Sequence, residues 1–239
     1  MKNRIFPFLF LLLPSIFFAQ ADTLRQKRHH LLKKSILPAT LIVSGSLISG
    51  SAMEIKLRDY TIQKVGANDR FPIDDYLQAA PIAELYLADL LGVKAKNHWF
   101  DQSKNLLMTA VLNQILVVSL KRTINKTRPN GANHAFPSGH TSFAFANATV
   151  LYEEFKETNP FLAYSGFGFA TVTGSLRVAN NRHWLSDVLA GAGIGLLSAT
   201  LIYHFEPLKN WNPFLRKQHL VIRPQISANS WSVRGQWIF

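Results

Sequence analysis

Residues 105–129 read NLLMTAVLNQILVVSLKRTINKTRP. The sixteen residues from Asn105 to Leu120 carry no charge, and the next eight hold four cations, Lys121, Arg122, Lys126 and Arg128, before Pro129. An apolar run of this length predicts a helix. Lys121 and Arg128 stand seven residues apart, about two turns, so a helix continued to Pro129 sets both on one face. Pro129 then ends that helix. Two cations on one face fit an oxyanion such as phosphate. Taken alone, the same cluster is an ordinary basic helix end, favourable to the helix dipole.

Working outward, five further apolar stretches lie near 36–53, 76–92, 141–156, 160–178 and 185–205, separated by loops rich in Pro, Asn and charge. Ser35 to Met53 and Val188 to Tyr203 carry no charge, whereas Glu84, Asp89 and Asn147 interrupt others. The expected fold is all-α: a bundle of about six helices, partly or wholly membrane-embedded. The mean hydropathy is only +0.06, so composition leaves integral, membrane-attached and soluble bundles open. At the C-terminus the pattern changes. Leu220 to Ile226 is followed by Ala228-Asn229-Ser230, and then by Trp231, Val233, Gly235, Trp237 and Phe239 at period two. That predicts a short β-hairpin, packed as a small ribbon or anchored at a membrane interface by its Trp residues.

The chain has 239 residues, 26 Lys+Arg against 14 Asp+Glu, a net charge of +12 and no cysteine. Disulfide scaffolds, zinc–thiolate sites, iron–sulfur clusters and thiol nucleophiles are therefore excluded. The basic excess favours anionic partners. Met1-Lys2-Asn3-Arg4, an apolar run Ile5 to Phe18 and Ala19-Gln20-Ala21 have the layout of a secretory signal peptide. Export makes nucleic acid an improbable target for the charge. The expected divisions are a signal peptide at 1–21, a basic segment and first apolar helix at 22–75, a helical bundle at 76–205 and a tail at 206–239. His29 and His30 belong to a basic run, 25–34, read as solvated or membrane-facing.

Two further clusters carry chemistry. Phe136-Pro137-Ser138-Gly139-His140-Thr141-Ser142 opens the stretch 141–156. Ser138 suits a helix N-cap, Gly139 allows close backbone approach to a ligand, and helix-start amides bind anions. His140 would stand beside that anion, placed to move a proton. The bland alternative is a capped helix with an incidental histidine. The last cluster is Arg177, then His183-Trp184-Leu185-Ser186-Asp187. His183 and Asp187 are four apart and face the same way on a helix. A carboxylate so placed holds one imidazole nitrogen and leaves the other free as a nucleophile. The bland alternative is a surface His–Asp pair. His134, Asn133, Asn181 and Arg182 lie in the adjoining loops and are left outside the catalytic set.

Lys-x6-Arg-Pro, Pro-Ser-Gly-His and Arg-x5-His-x3-Asp, in this order, resemble the three-part signature of the type-2 phosphatidic acid phosphatase and vanadium haloperoxidase superfamily. The resemblance covers about residues 76–205. One departure is Leu176, where the family often has Ser; here Ser175 stands one residue earlier. The resemblance implies an all-α bundle with the three clusters at one end. It further implies in-line phosphoryl transfer through a phosphohistidine: His183 as nucleophile, Asp187 orienting it, and His140 as proton donor and then base. Lys121, Arg128 and Arg177 would hold the phosphate oxygens, with Ser138 and Gly139 adding hydrogen bonds. No metal and no other cofactor is expected.

The expected substrate is the phosphomonoester or pyrophosphate of an envelope lipid, of the lipid A, undecaprenyl diphosphate or phosphatidate type. The expected partners are that lipid and the membrane, with no protein partner evident. The expected location is a bacterial inner membrane with a periplasm-facing site. A soluble periplasmic acid phosphatase of broad specificity is the alternative. A vanadate-dependent haloperoxidase and a non-catalytic lipid-binding protein are weaker readings, the first disfavoured by the short chain and the second by the intact charged set.

Overall fold

The computed structural model describes residues 28–66, 72–214, 220–227 and 230–237. The signal peptide expected at 1–21 lies outside these residues. Among those described, eight helices form: α1 (Arg28–Ile48), α2 (Ala52–Val65), α3 (Asp74–Leu77), α4 (Ala80–Leu90), α5 (Trp99–Ile124), α6 (Gly139–Phe155), α7 (Pro160–Ala179) and α8 (Leu185–Phe205). The expected all-α bundle is what the chain builds.

Local chemistry sets the helix ends. The Ser51 side chain accepts the Glu54 amide at the start of α2, and Asn159 accepts the Leu162 amide at the start of α7, where Pro160 occupies the first turn. Helix α1 stops before Gly50, whose φ of +76° breaks it. Helix α2 was not foreseen, because five charged residues hide its pattern among polar ones.

The first cluster needs a correction. Helix α5 ends at Ile124, and Asn125 takes the left-handed conformation (φ 43°), its amide bonded to the Lys121 carbonyl. Asn tolerates that conformation and so ends the helix four residues before Pro129. Arg128 therefore does not share a helix face with Lys121. It sits in a turn, its amide donating to the Ala132 carbonyl at 2.7 Å and its carbonyl accepting from Gly131 at 3.0 Å.

Helix α8 is the central element. Of its apolar window 72% is buried, against 11% for α1 and 22% for α5. These three helices are long and apolar enough to cross a membrane; at 1.5 Å per residue the 21 residues of α1 reach about 31 Å. The exposed apolar residues of α1 (Ile36, Leu37, Val43, Leu47) and α5 (Leu107, Val111, Ile115) suit lipid better than water.

Small residues let α8 touch its neighbours through backbone. A Cβ on Gly191 would lie 2.6 Å from the Ser138 carbonyl oxygen, and one on Gly195 would overlap the Ser142 carbonyl oxygen on α6. A Cβ on Gly193 would lie 2.6 Å from the Pro38 carbonyl oxygen on α1. Gly191 and Gly195 thus form the small-xxx-small contact typical of tightly packed helices.

The helices run in alternating directions, so the bundle has two distinct ends. At one end Lys34 of α1 meets Glu153 of α6 at 2.7 Å, and Glu154 accepts from the Asn97 side chain at 2.8 Å. At the other end, where α5 and α7 finish and α6 and α8 begin, the three sequence clusters gather. A second compact unit, Leu208–Phe239, contains an antiparallel hairpin of β1 (Leu220–Ser227) and β2 (Ser230–Trp237).

Gly195→Ala tests the α6–α8 contact. The added methyl group has backbone on its far side and cannot be relieved by a rotamer change. The expected loss is about 1–3 kcal/mol, read as a lowered thermal unfolding midpoint in detergent. Gly168→Ala, whose Cβ meets nothing within 4 Å, is the control and should unfold at or slightly above the wild-type midpoint, since Ala favours the helix.

Candidate active site

His183 and Asp187 are the centre of the gathered end. His183 is 2% exposed and Asp187 is fully buried. The His183 Nδ1 lies 3.3 Å from Asp187 Oδ2, and the same oxygen accepts the Trp184 amide at 2.9 Å. The Trp184 amide opens α8, so the carboxylate caps the helix while holding the ring. With Nδ1 donating to the carboxylate, Nε2 keeps its lone pair. Burial, the largest influence, pushes His183 down to about 4, and the charges of Lys121 and Arg128 push the same way. The Asp187 carboxylate opposes them without prevailing. Above that pH the ring is a neutral nucleophile.

The second cluster is bonded to the third. The Ser138 amide donates to the Asp187 carbonyl at 2.9 Å, which fixes the start of α6 against the start of α8. Ser138 holds the N-cap position, yet its hydroxyl pairs with Thr141 Oγ1 at 2.9 Å rather than with a backbone amide. The first turn of α6 therefore keeps its amides free of a side-chain cap. A Cβ on Gly139 would lie 3.9 Å from the Lys121 Cε, an ordinary contact. The space beside Gly139 is bounded by the Val117 and Lys121 side chains of α5, at 3.7 Å and 3.9 Å.

His140 is partly exposed, and its Nε2 lies 2.9 Å from Asp75 Oδ1. Burial lowers its pKa, and the Arg177 charge adds to that; Asp75 and Asp74 raise it but less. Arg177 Nη1 donates to Asp74 Oδ2 at 2.9 Å and to Asp75 Oδ1 at 3.2 Å. Asn180 donates to the same Asp74 oxygen at 3.1 Å. Helix α3 is thus an acidic brace for both Arg177 and His140. Lys121 Nζ donates to the His134 carbonyl at 2.7 Å. Arg128 is held lower than an ordinary guanidinium by burial first and then by Arg177 and Arg182.

All eight sequence candidates, Lys121, Arg128, Ser138, Gly139, His140, Arg177, His183 and Asp187, reach this end of the bundle. The buried Nε–H groups of Arg128 and Arg177 have no acceptor among the described residues. Mutually repelling cations with spare donors, beside a helix start and a neutral imidazole, favour an oxyanion. Sequence reasoning missed Asp74, Asp75, Glu54 and the role of Lys126. The adjacent pair Asp74-Asp75 was the visible signal, but its distance of 102 residues from Arg177 hid the pairing. His134 and Asn181, left outside the set, serve the loops: His134 through its carbonyl, and Asn181 Oδ1 by accepting from Arg58 at 3.3 Å.

Residues 130–211 match the PAP2 superfamily. The second and third clusters fall inside that segment and the first lies just before it. Over 182 residues the chain is 33% identical to the lipid A 1-phosphatase of Porphyromonas gingivalis, covering 74% of this chain. The chain spans 40% of that relative's length. The crystal structure of a transmembrane PAP2-type phosphatidylglycerolphosphate phosphatase from Bacillus subtilis superposes with a TM-score of 0.51 at 20% identity, covering 76% of this chain and 98% of that one. The LpxE structure from Aquifex aeolicus gives 0.48 at 24% identity, over 66% and 98%.

The buried neutral His183 makes stability depend on pH. Its folded pKa, about 4, lies below the ordinary value near 6.5, so the unfolded chain takes the proton first. Stability from this group is complete above about pH 6.5 and is lost as the pH falls toward 4. The loss approaches about 3 kcal/mol. His183→Gln should flatten the fall in unfolding midpoint between pH 7 and pH 4.5; an unchanged fall would show that His183 is not the group being protonated.

Proposed function

Residues 130–211 belong to the PAP2 superfamily, and from that premise we propose that this protein is an envelope lipid phosphatase working through a phosphohistidine. The observation that carries the reading is the His183–Asp187 pair standing among Lys121, Arg128 and Arg177. His183 Nε2 attacks phosphorus as the bond from phosphorus to the leaving oxygen breaks. His140 gives that oxygen its proton. It then takes a proton from water, whose oxygen attacks phosphorus and frees His183. Lys121, Arg128 and Arg177 neutralise the equatorial oxygens, and the Gly139 amide and Ser138 add donors at the start of α6. A bound phosphate adds negative charge beside His140 and raises its pKa toward the working range.

The substrate is a phosphorylated lipid of the envelope. The apolar outer faces of α1 and α5 support a membrane setting, and the similarity to a lipid A 1-phosphatase supports a lipid A phosphate as the first candidate. Phosphate release from lipid A, undecaprenyl diphosphate, phosphatidic acid, phosphatidylglycerol phosphate and p-nitrophenyl phosphate, with EDTA present, separates the alternatives. One lipid should be preferred, and His183→Ala should lower its turnover at least about 10³-fold. Preference for the small ester points to a broad acid phosphatase. Substantial turnover by His183→Ala would sink the phosphohistidine.

We further propose that the site faces the periplasm. Helix α1 runs antiparallel to α8: Lys34 lies at the Glu153 end and Gly45 packs against the Ser186 carbonyl at the site end. A spanning α1 therefore separates the basic run 25–34 from the site by the membrane. Held in the cytoplasm by the positive-inside rule, that run leaves the site outside. A signal peptide cleaved after export would do the reverse, so the two sequence expectations conflict once α1 crosses, and the retained basic end is the better supported. Thiol labelling of intact cells settles it. Leu32→Cys should resist an impermeant maleimide and Asn130→Cys should react; the opposite pattern would put the site in the cytoplasm.

A further inference from the structure

Two buried charged side chains behind Asp187 have no part in the reaction just described. Lys126 lies in the loop between α5 and α6, and Glu54 lies on α2. Their side chains are 16% and 1% exposed. Lys126 Nζ donates to Ser186 Oγ at 2.6 Å and to Asp187 Oδ1 at 3.2 Å. It also lies 3.3 Å from Glu54 Oε2. Glu54 in turn accepts the Ser186 amide at 2.9 Å and the Gly50 amide at 2.8 Å. Trp184, whose ring lies under Lys126 Nζ at 5.5 Å, donates its indole N–H to the Thr127 carbonyl at 2.8 Å.

The two oxygens of Asp187 are thereby divided. Oδ2 serves His183 and the Trp184 amide, while Oδ1 serves Lys126 and Ser186. A carboxylate held on both oxygens cannot rotate away from the imidazole. Lys126 is anchored by Glu54, so its ammonium group stays behind Asp187 and does not join the phosphate-binding cations. We infer that Lys126 and Glu54 are a positioning pair that fixes the orientation and the charge of Asp187, and through it the tautomer of His183. The inference rests on the phosphohistidine reading.

The pair has a signature that simple packing would lack. The charged groups facing His183 are Asp187 on its own segment, Lys121 from α5 and Arg128 from the following turn. Beyond them lie Arg177 and Arg182, and His140 with Asp74 and Asp75. Removing Lys126 leaves the Asp187 charge less neutralised, so it pulls harder on a His183 proton.

The test compares kcat, KM and the acid limb of the pH profile for wild type, Lys126→Met and the double variant Glu54→Gln with Lys126→Met. The double variant removes one charge of each sign together, so it avoids stranding a buried carboxylate. Both should lower kcat about 10- to 100-fold with little change in KM. Lys126→Met should move the acid limb up by about one pH unit, and the double variant should move it the same way by less, because the lost Glu54 charge partly offsets the lost Lys126 charge. A double variant with wild-type kcat and an unmoved acid limb would overturn the inference. So would loss of folded protein in both variants, which would make the pair a stability device only. Wild type and His183→Ala are run alongside. An inactive wild type would remove the phosphatase reading itself, whereas an active wild type with a dead His183→Ala leaves the result to bear on the pair alone.

Discussion

A fully buried carboxylate must be answered on every side or it costs several kcal/mol, and Asp187 is such a group. Its answers come from three parts of the chain. His183 and Trp184 approach from its own segment, Lys126 from the turn after α5, and its backbone carbonyl takes the Ser138 amide at the start of α6. Each sequence cluster therefore sends at least one bond to the same residue. The start of α8 becomes the point about which the other clusters are arranged.

That arrangement concentrates positive charge in a partly dry place. Arg177 and Arg182 lie close enough to Arg128 for their charges to oppose its protonation. The acidic brace of α3 supplies counter-charge to Arg177 and His140, while the Glu54 carboxylate answers Lys126. The same low dielectric that makes the cations costly makes them effective on a developing negative charge. His183 stays neutral for the same reason: burial and neighbouring cations both disfavour its proton.

The far end of the bundle has a different chemistry. Glu153 is shared by Lys34 and Lys156, and Glu154 ties Tyr203 to the segment before α5. These pairs fasten α1, α6 and α8 without touching the site. Between the two ends, glycines on α8 bring backbones close enough that the helix directions are fixed by contact. The direction of α1 follows from that packing, and with it the side of the membrane on which the site opens.

The sequence by itself determined the helical class, the three clusters, their order and the identity of the eight candidate residues. Uncharged runs and i, i+4 spacing are local signals, and local signals survive in a one-dimensional text. The hairpin at 220–237 was legible for the same reason. Only the tertiary structure decided that Arg128 leaves the helix, because a left-handed Asn125 outweighed the two-turn spacing. Only it joined Asp74 and Asp75 to Arg177 and His140, and Glu54 to Lys126. Those pairings span tens of residues of sequence, and a buried charge finds its counter-charge by proximity in space, which residue spacing does not encode.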